Sequence, residues 1–90
     1  MQATSLVLVV IDRDPITGEE RITEETKSDG GEWWWEESQD AYGGRQQHRL
    51  GGPAGRFKDG RYEVWYYHGK QVNIKSQKEY EQWLRLKAFQ

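Results

Sequence analysis

Residues 48–70, HRLGGPAGRFKDGRYEVWYYHGK, constrain the fold more than any other stretch of this chain. Two strand-like runs, 54–58 and 61–68, flank Asp59-Gly60, and Gly69-Lys70 marks a further turn. Asp-Gly between such runs is the strongest short-range hairpin signal, because a type I′ turn needs positive φ at both central residues. A chain built around such a unit is expected to be a sheet of hairpins.

Ninety residues make one domain, and a chain of this size buries only roughly 60–65% of its unfolded surface. Branched aliphatic residues are few, so the five Trp and five Tyr must supply much of the core. A homodimer would relieve that shortage. Cysteine is absent, which excludes disulfides and thiolate zinc sites. No run approaches the ~20 apolar residues of a membrane span, and 6–11 is too short for a signal-peptide core. These features lead us to expect a cytoplasmic protein that does not engage a membrane.

Residues 6–11 (LVLVVI) form the one aliphatic run, expected to be a strand covered on both faces. Asp14-Pro15-Ile16-Thr17-Gly18 has turn chemistry, and 20–26 is the returning strand, giving an N-terminal hairpin over 5–27. Asp29-Gly30-Gly31 is a second turn, followed by a short aromatic strand at 32–36. This unit and the later Asp59-Gly60 unit read as degenerate hairpin repeats over 29–74. The polar stretch 38–47 between them is expected to be a mobile loop. Ser76-x-x-Glu79 is a capping box opening a helix over 76–89, and Tyr80, Trp83, Leu84 and Ala88 form its apolar stripe. The expected fold is therefore α+β. It has a twisted antiparallel sheet of five to seven short strands, with one C-terminal helix packed on it.

The pattern HR-x-x-GPA…DG…WY-x-x-GK, carried by His48, Arg49, Gly52, Pro53, Ala54, Asp59, Gly60, Trp65, Tyr66, Gly69 and Lys70, resembles the MORN-like repeat of small bacteriophage-type proteins. Gly51 stands where that family usually has an acid, and His68 where it often has Asn. The match covers about a quarter of the chain. The resemblance implies a hairpin scaffold and a phage-type origin.

No motif supports catalysis. His48 and His68 lack metal-ligand spacing, partner acids at Asp40 or Asp59 are unsupported, and no nucleophile elbow is present. The Asp12, Asp14, Glu19, Glu20 cluster reads as a solvated acidic turn rather than a cation site. We therefore expect neither enzyme activity nor a metal or cofactor. Residues 1–42 carry 11 acids and three bases, and 43–90 four acids and ten bases. Opposed halves suggest either separate faces or cross-strand neutralisation, and the acidic half disfavours generic nucleic-acid binding.

Three consecutive tryptophans cannot share one face, so at least one of Trp33, Trp34 and Trp35 is expected at the surface as a binding hot spot. With Tyr42, Arg45, Arg49, Arg56, Lys58 and Arg61 they form the candidate binding set. The expected role is a small non-enzymatic accessory protein that binds, and inhibits, a host protein such as a defence factor. The alternatives are sequestration of a nucleotide-like ligand between Trp and Arg, and a structural repeat used in assembly.

Overall fold

A computed structural model describes residues 8–28, 30–38, 43–57, 60 and 62–89. Seven strands precede one helix: β1 (Val9–Arg13), β2 (Glu20–Ser28), β3 (Gly31–Glu37), β4 (Arg45–Gln47), β5 (Gly55–Phe57), β6 (Glu63–Tyr67), β7 (Lys70–Val72) and α1 (Gln77–Ala88). Every strand pairing is antiparallel, in the order β1-β2-β3-β5-β6-β7, with β4 also on β3. This is the α+β architecture expected from the sequence.

β3 organises the sheet because it is shared. One edge pairs with β2, while the other takes β5 against Gly31–Trp33 and β4 against Trp35–Glu37. Residues 48–54 must therefore step around Trp34. The Trp34 carbonyl accepts from the His48 N–H at 3.2 Å, and its N–H donates to the Ala54 carbonyl at 2.8 Å. The Arg49 guanidinium lies 4.1 Å from the centre of the Trp34 ring, a stacked cation–π contact. A Cβ on Gly52 would come within 2.8 Å of that guanidinium. The Tyr80 hydroxyl, from the helix, donates to the Arg49 carbonyl at 2.7 Å. The His-Arg and Gly-Pro-Ala residues thus form one arc locked over an indole.

Cross-strand partners share a face, so the register divides the sheet into two sides. One side carries Trp34, Trp65 and Val72; Tyr80 and Leu84 of α1 pack with Trp65 and Val72 as the core, with Ile16, Leu50, Tyr67, Ile74 and Trp83 around them, while Trp34 lies under Arg49. Aromatic rings do supply this core. They lie between sheet and helix rather than between two sheets.

Several local expectations are corrected. β1 is an end strand, and Val9 and Ile11 are exposed rather than covered, because nothing in the described residues lies over that face. Part of the expected loop 38–47 is β4, which finds free backbone groups on β3; residues 39–42 lie outside the described residues. Phe57 N–H donates to the Tyr62 carbonyl at 3.0 Å and the Phe57 carbonyl accepts from Gly60 N–H at 2.8 Å, and Lys58 and Arg61, expected to flank the turn, lie outside the described residues. Gly60 keeps the expected positive φ, +72°, while Asp59 is outside the described residues. The two-residue turn lies at His68-Gly69, with φ of 47° and 83°, one position before the expected Gly69-Lys70. Ser76 caps α1 by accepting from Glu79 N–H at 3.2 Å, but the Glu79 carboxylate reaches to Lys75 N–H rather than to Ser76.

These contacts set two expectations for urea denaturation. Ser76→Ala should cost about 1 kcal/mol through the lost cap, and Trp65→Ala about 3–5 kcal/mol through a core cavity. Gly31→Ala should destabilise strongly, because a Cβ there would overlap the Arg56 carbonyl, whereas Gly51→Ala has open space and should be close to neutral. Equal midpoints for these two glycine variants would contradict the close β3–β5 approach.

Candidate functional site

The densest chemistry in the described residues lies beneath the helix-side face. Asp14 comes from the β1–β2 connection, Glu36 from β3, His48 from the arc after β4, and Tyr67 and His68 from the end of β6. Asp14, Glu36 and His48 are buried. The His68 ring bridges both acids, with Nδ1 2.5 Å from Glu36 Oε2 and Nε2 2.6 Å from Asp14 Oδ2. Two carboxylates offer only acceptors, so both ring nitrogens carry protons and His68 is an imidazolium. The Tyr67 hydroxyl also donates to Asp14 Oδ2, at 2.6 Å, and Gln46 Nε2 donates to Glu36 Oε2, at 2.6 Å. Backbone amides of Ile16 and Thr17 donate to Asp14 Oδ1 at 2.8 and 3.3 Å.

His48 differs in charge. Its Nδ1 accepts the His68 backbone N–H at 2.9 Å, so its proton sits on Nε2, which faces Glu36 Oε1 at 4.0 Å. The two imidazoles stack, with centroids 4.1 Å apart and planes 4° apart. A neutral ring over a charged one avoids the repulsion of two imidazolium groups. Arg21 supplies a further cation, 3.3 Å from Glu36 Oε1.

The titration behaviour follows from this arrangement. Burial alone would lower the His68 pKa, but its bonds to Glu36 and Asp14 outweigh that and raise it. Burial pulls His48 down to about 4, against the opposing pull of Glu36. Burial would raise both acids. Hydrogen bonds from Tyr67, His68 and the two amides leave Asp14 lowered, and those from His68 and Gln46 do the same for Glu36. Tyr67 is raised by burial and by donating to an ionised Asp14.

Glu36, His48 and His68 each offer a metal-ligating atom within 4.8 Å of the others. The bonding pattern disfavours a cation there. The Nδ1 of His48 already accepts an amide and its Nε2 carries the proton, while both nitrogens of His68 hold carboxylates. Most of its groups are bonded to one another; Glu36 Oε1 alone is buried without a hydrogen-bond partner among the described residues, with Arg21 at 3.3 Å and His48 Nε2 at 4.0 Å as its neighbouring cation and donor.

The second candidate is the opposite sheet face. Register places Val9, Ile11, Ile22, Trp33, Trp35, Phe57, Tyr62 and Val64 on it. Val9, Ile11, Ile22, Phe57 and Tyr62 are each 43–63% exposed. Trp33 packs edge-on to Phe57, which stacks on Tyr62. Trp35 Nε1 donates to Thr26 Oγ1 at 3.0 Å, and Arg45 lies over the Trp35 ring while pairing with Glu24 at 3.1 Å. Arg13 pairs with Glu20 at 3.0 Å nearby. A groove of about 970 Å³ runs past Trp35, Arg21 and Arg45, with Glu19, Glu20, Glu24, Glu36 and Glu37 also on its walls.

The expected binding set is thus divided. Trp33, Trp35 and Arg45 share the open face, with the two indoles half-buried rather than free. Trp34 is 4% exposed and belongs to the core side, where Arg49 is committed to it. Arg56 pairs with Glu63 at 2.8 Å on that side. Tyr42, Lys58 and Arg61 lie outside the described residues, as do Asp40 and Asp59. Asp14 is buried and bonded rather than part of a solvated acidic turn. The acids that engage His68 are Asp14, which the sequence reading placed only in an acidic turn, and Glu36, which it did not single out. The available signal was His68 itself, a branched ring in a left-handed turn position where Asn fits more easily. No family model, curated protein or solved structure matches the chain.

The cluster sets the pH dependence of stability. His68, with a folded pKa above its ordinary 6.5, stabilises fully below that value and loses its contribution as pH rises through the folded pKa. His48 acts oppositely. Between 6.5 and about 4 the unfolded chain binds a proton that the folded one refuses, so stability falls as pH drops through that window, by on the order of 2–3 kcal/mol. Asp14 and Glu36 stabilise above their ordinary 3.8 and 4.5, and this is lost as pH falls through their lowered folded values. Urea midpoints should therefore peak near pH 6.5. His68→Asn, which keeps the turn, should lose about 1–3 kcal/mol and flatten the alkaline limb. A midpoint rising steadily from about pH 5 to about pH 9 would contradict this assignment.

Proposed function

We propose that this chain is a small non-enzymatic binding protein whose open sheet face docks on a macromolecule. The observation that carries this reading is the set of exposed and half-buried apolar and aromatic side chains that share this face, Ile11, Ile22, Trp35, Trp33, Phe57 and Tyr62. Exposed apolar side chains gathered on one face mark interaction sites, and here the ion pairs Arg45–Glu24 and Arg13–Glu20 are set among them. Indoles held by neighbours, as Trp35 is by Thr26 and Arg45, lose little conformational freedom on binding. The cassette's resemblance to phage-type repeat proteins supports a host protein as the partner and inhibition by occupied surface as the mode of action.

The nucleotide-like alternative is weaker. Trp35, Arg21 and Arg45 could stack a base and meet phosphate, but five glutamates share their groove and both arginines already hold carboxylates. ATP is expected to leave the tryptophan fluorescence unchanged.

The test is capture from bacterial lysate by immobilised wild type, Trp35→Ala and Ile22→Lys. The expected result is a discrete partner retained by the wild type and lost from both variants, with thermal midpoints of the variants close to the wild type. A partner held equally by all three would remove this face from the function.

A further inference from the structure

The exposed end of the sheet has a specific geometry. Among the described residues β1 pairs only with β2. Glu25 N–H donates to the Leu8 carbonyl and Asp14 N–H to the Glu19 carbonyl, each at 2.8 Å, which fixes the parity of the ladder. Bonded pairs alternate in an antiparallel ladder. Leu8, Val10 and Asp12 therefore turn their backbone groups toward β2, and Val9, Ile11 and Arg13 turn theirs outward.

Soluble proteins blunt such edges with proline, inward charges, lysine or bulges. β1 (VVIDR) has no proline or lysine, and its register with β2 runs unbroken over all five residues. Val9 and Ile11, 57% and 63% exposed, add an apolar border to the unpaired backbone.

We propose that a second copy of this chain adds to β1 as an antiparallel strand, about a two-fold axis at Ile11. The outward set is self-complementary about that point. Ile11 would exchange both backbone bonds with its own counterpart, and Val9 would pair with Arg13 twice, so every outward group from 9 to 13 is used. Side-chain parity is preserved across the axis. The Ile11–Ile22 row of one copy therefore continues into that of the other. Two open faces become one surface of twice the width, which goes beyond the single-copy docking face proposed above. Strand addition of this kind draws its affinity from main-chain bonds.

Sedimentation equilibrium of the full chain tests this directly. The wild-type mass should rise with concentration from 10.6 kDa toward twice that value in the micromolar range. Ile11→Pro removes an outward N–H that the β1–β2 ladder does not use, and Ile11→Lys places like charges together at the axis. Both should sediment as monomers. Ile11→Lys should keep the wild-type circular dichroism and thermal midpoint, since Ile11 is exposed, and it decides the matter if the proline variant fails to fold. A wild type that stays monomeric at high micromolar concentration overturns the proposal, as does a dimer that survives Ile11→Lys. Trp35→Ala should leave the dimer intact, so loss of partner capture and loss of dimerisation are separable.

Discussion

The His68 imidazolium, held between Asp14 and Glu36, joins three parts of the chain that lie far apart in sequence. Asp14 belongs to the first hairpin, Glu36 to the central strand and His68 to the last hairpin. Two buried carboxylates would repel each other and lack donors on their own. A protonated ring between them offsets both costs, and the Tyr67 hydroxyl and Gln46 amide add one donor to each acid. His48 fits around this charge. It stays neutral, stacks on His68 and receives its backbone N–H, which helps hold His68 at its left-handed φ of 47°.

The rest of the core follows from where that clasp sits. The arc from His48 to Ala54 leaves β4, passes over Trp34 and returns as β5, so β3 can pair with both on a single edge. Its Arg49 carbonyl and Leu50 carbonyl are then held by Tyr80 and Gln77 of α1. Clasp, arc and helix thus cover one side of the sheet, and among the described residues none forms a layer on the opposite side. In a chain this short one face is all that a single helix and one loop can cover. The exposed aliphatic and aromatic row is the consequence, and the binding role proposed for it starts from that shortage.

Much of the fold was legible because its signals are local. Ser76 and Glu79 mark the start of α1, Tyr80 and Leu84 give its buried stripe, and the alternation in 33–35 separates Trp34 from Trp33 and Trp35. The site was less legible. Asp14 precedes Pro15 and looks like any turn acid, and Glu36 is one of many acids in an acidic half. Only their convergence on a histidine 54 and 32 residues away gives them a role. Within 6–11, Val9 and Ile11 misled because continuous apolarity suits a doubly covered strand, whereas both are exposed on β1, and residues 6 and 7 lie outside the described residues.

Protonation of the two histidines is the most direct measure of the clasp. Long-range ¹H–¹⁵N correlation spectra near pH 6 separate imidazolium from either neutral tautomer. The account expects His68 doubly protonated and His48 neutral, with its proton on Nε2 and a bare Nδ1 accepting the His68 amide. A neutral His68, or a His48 that carries its proton on Nδ1, would contradict it.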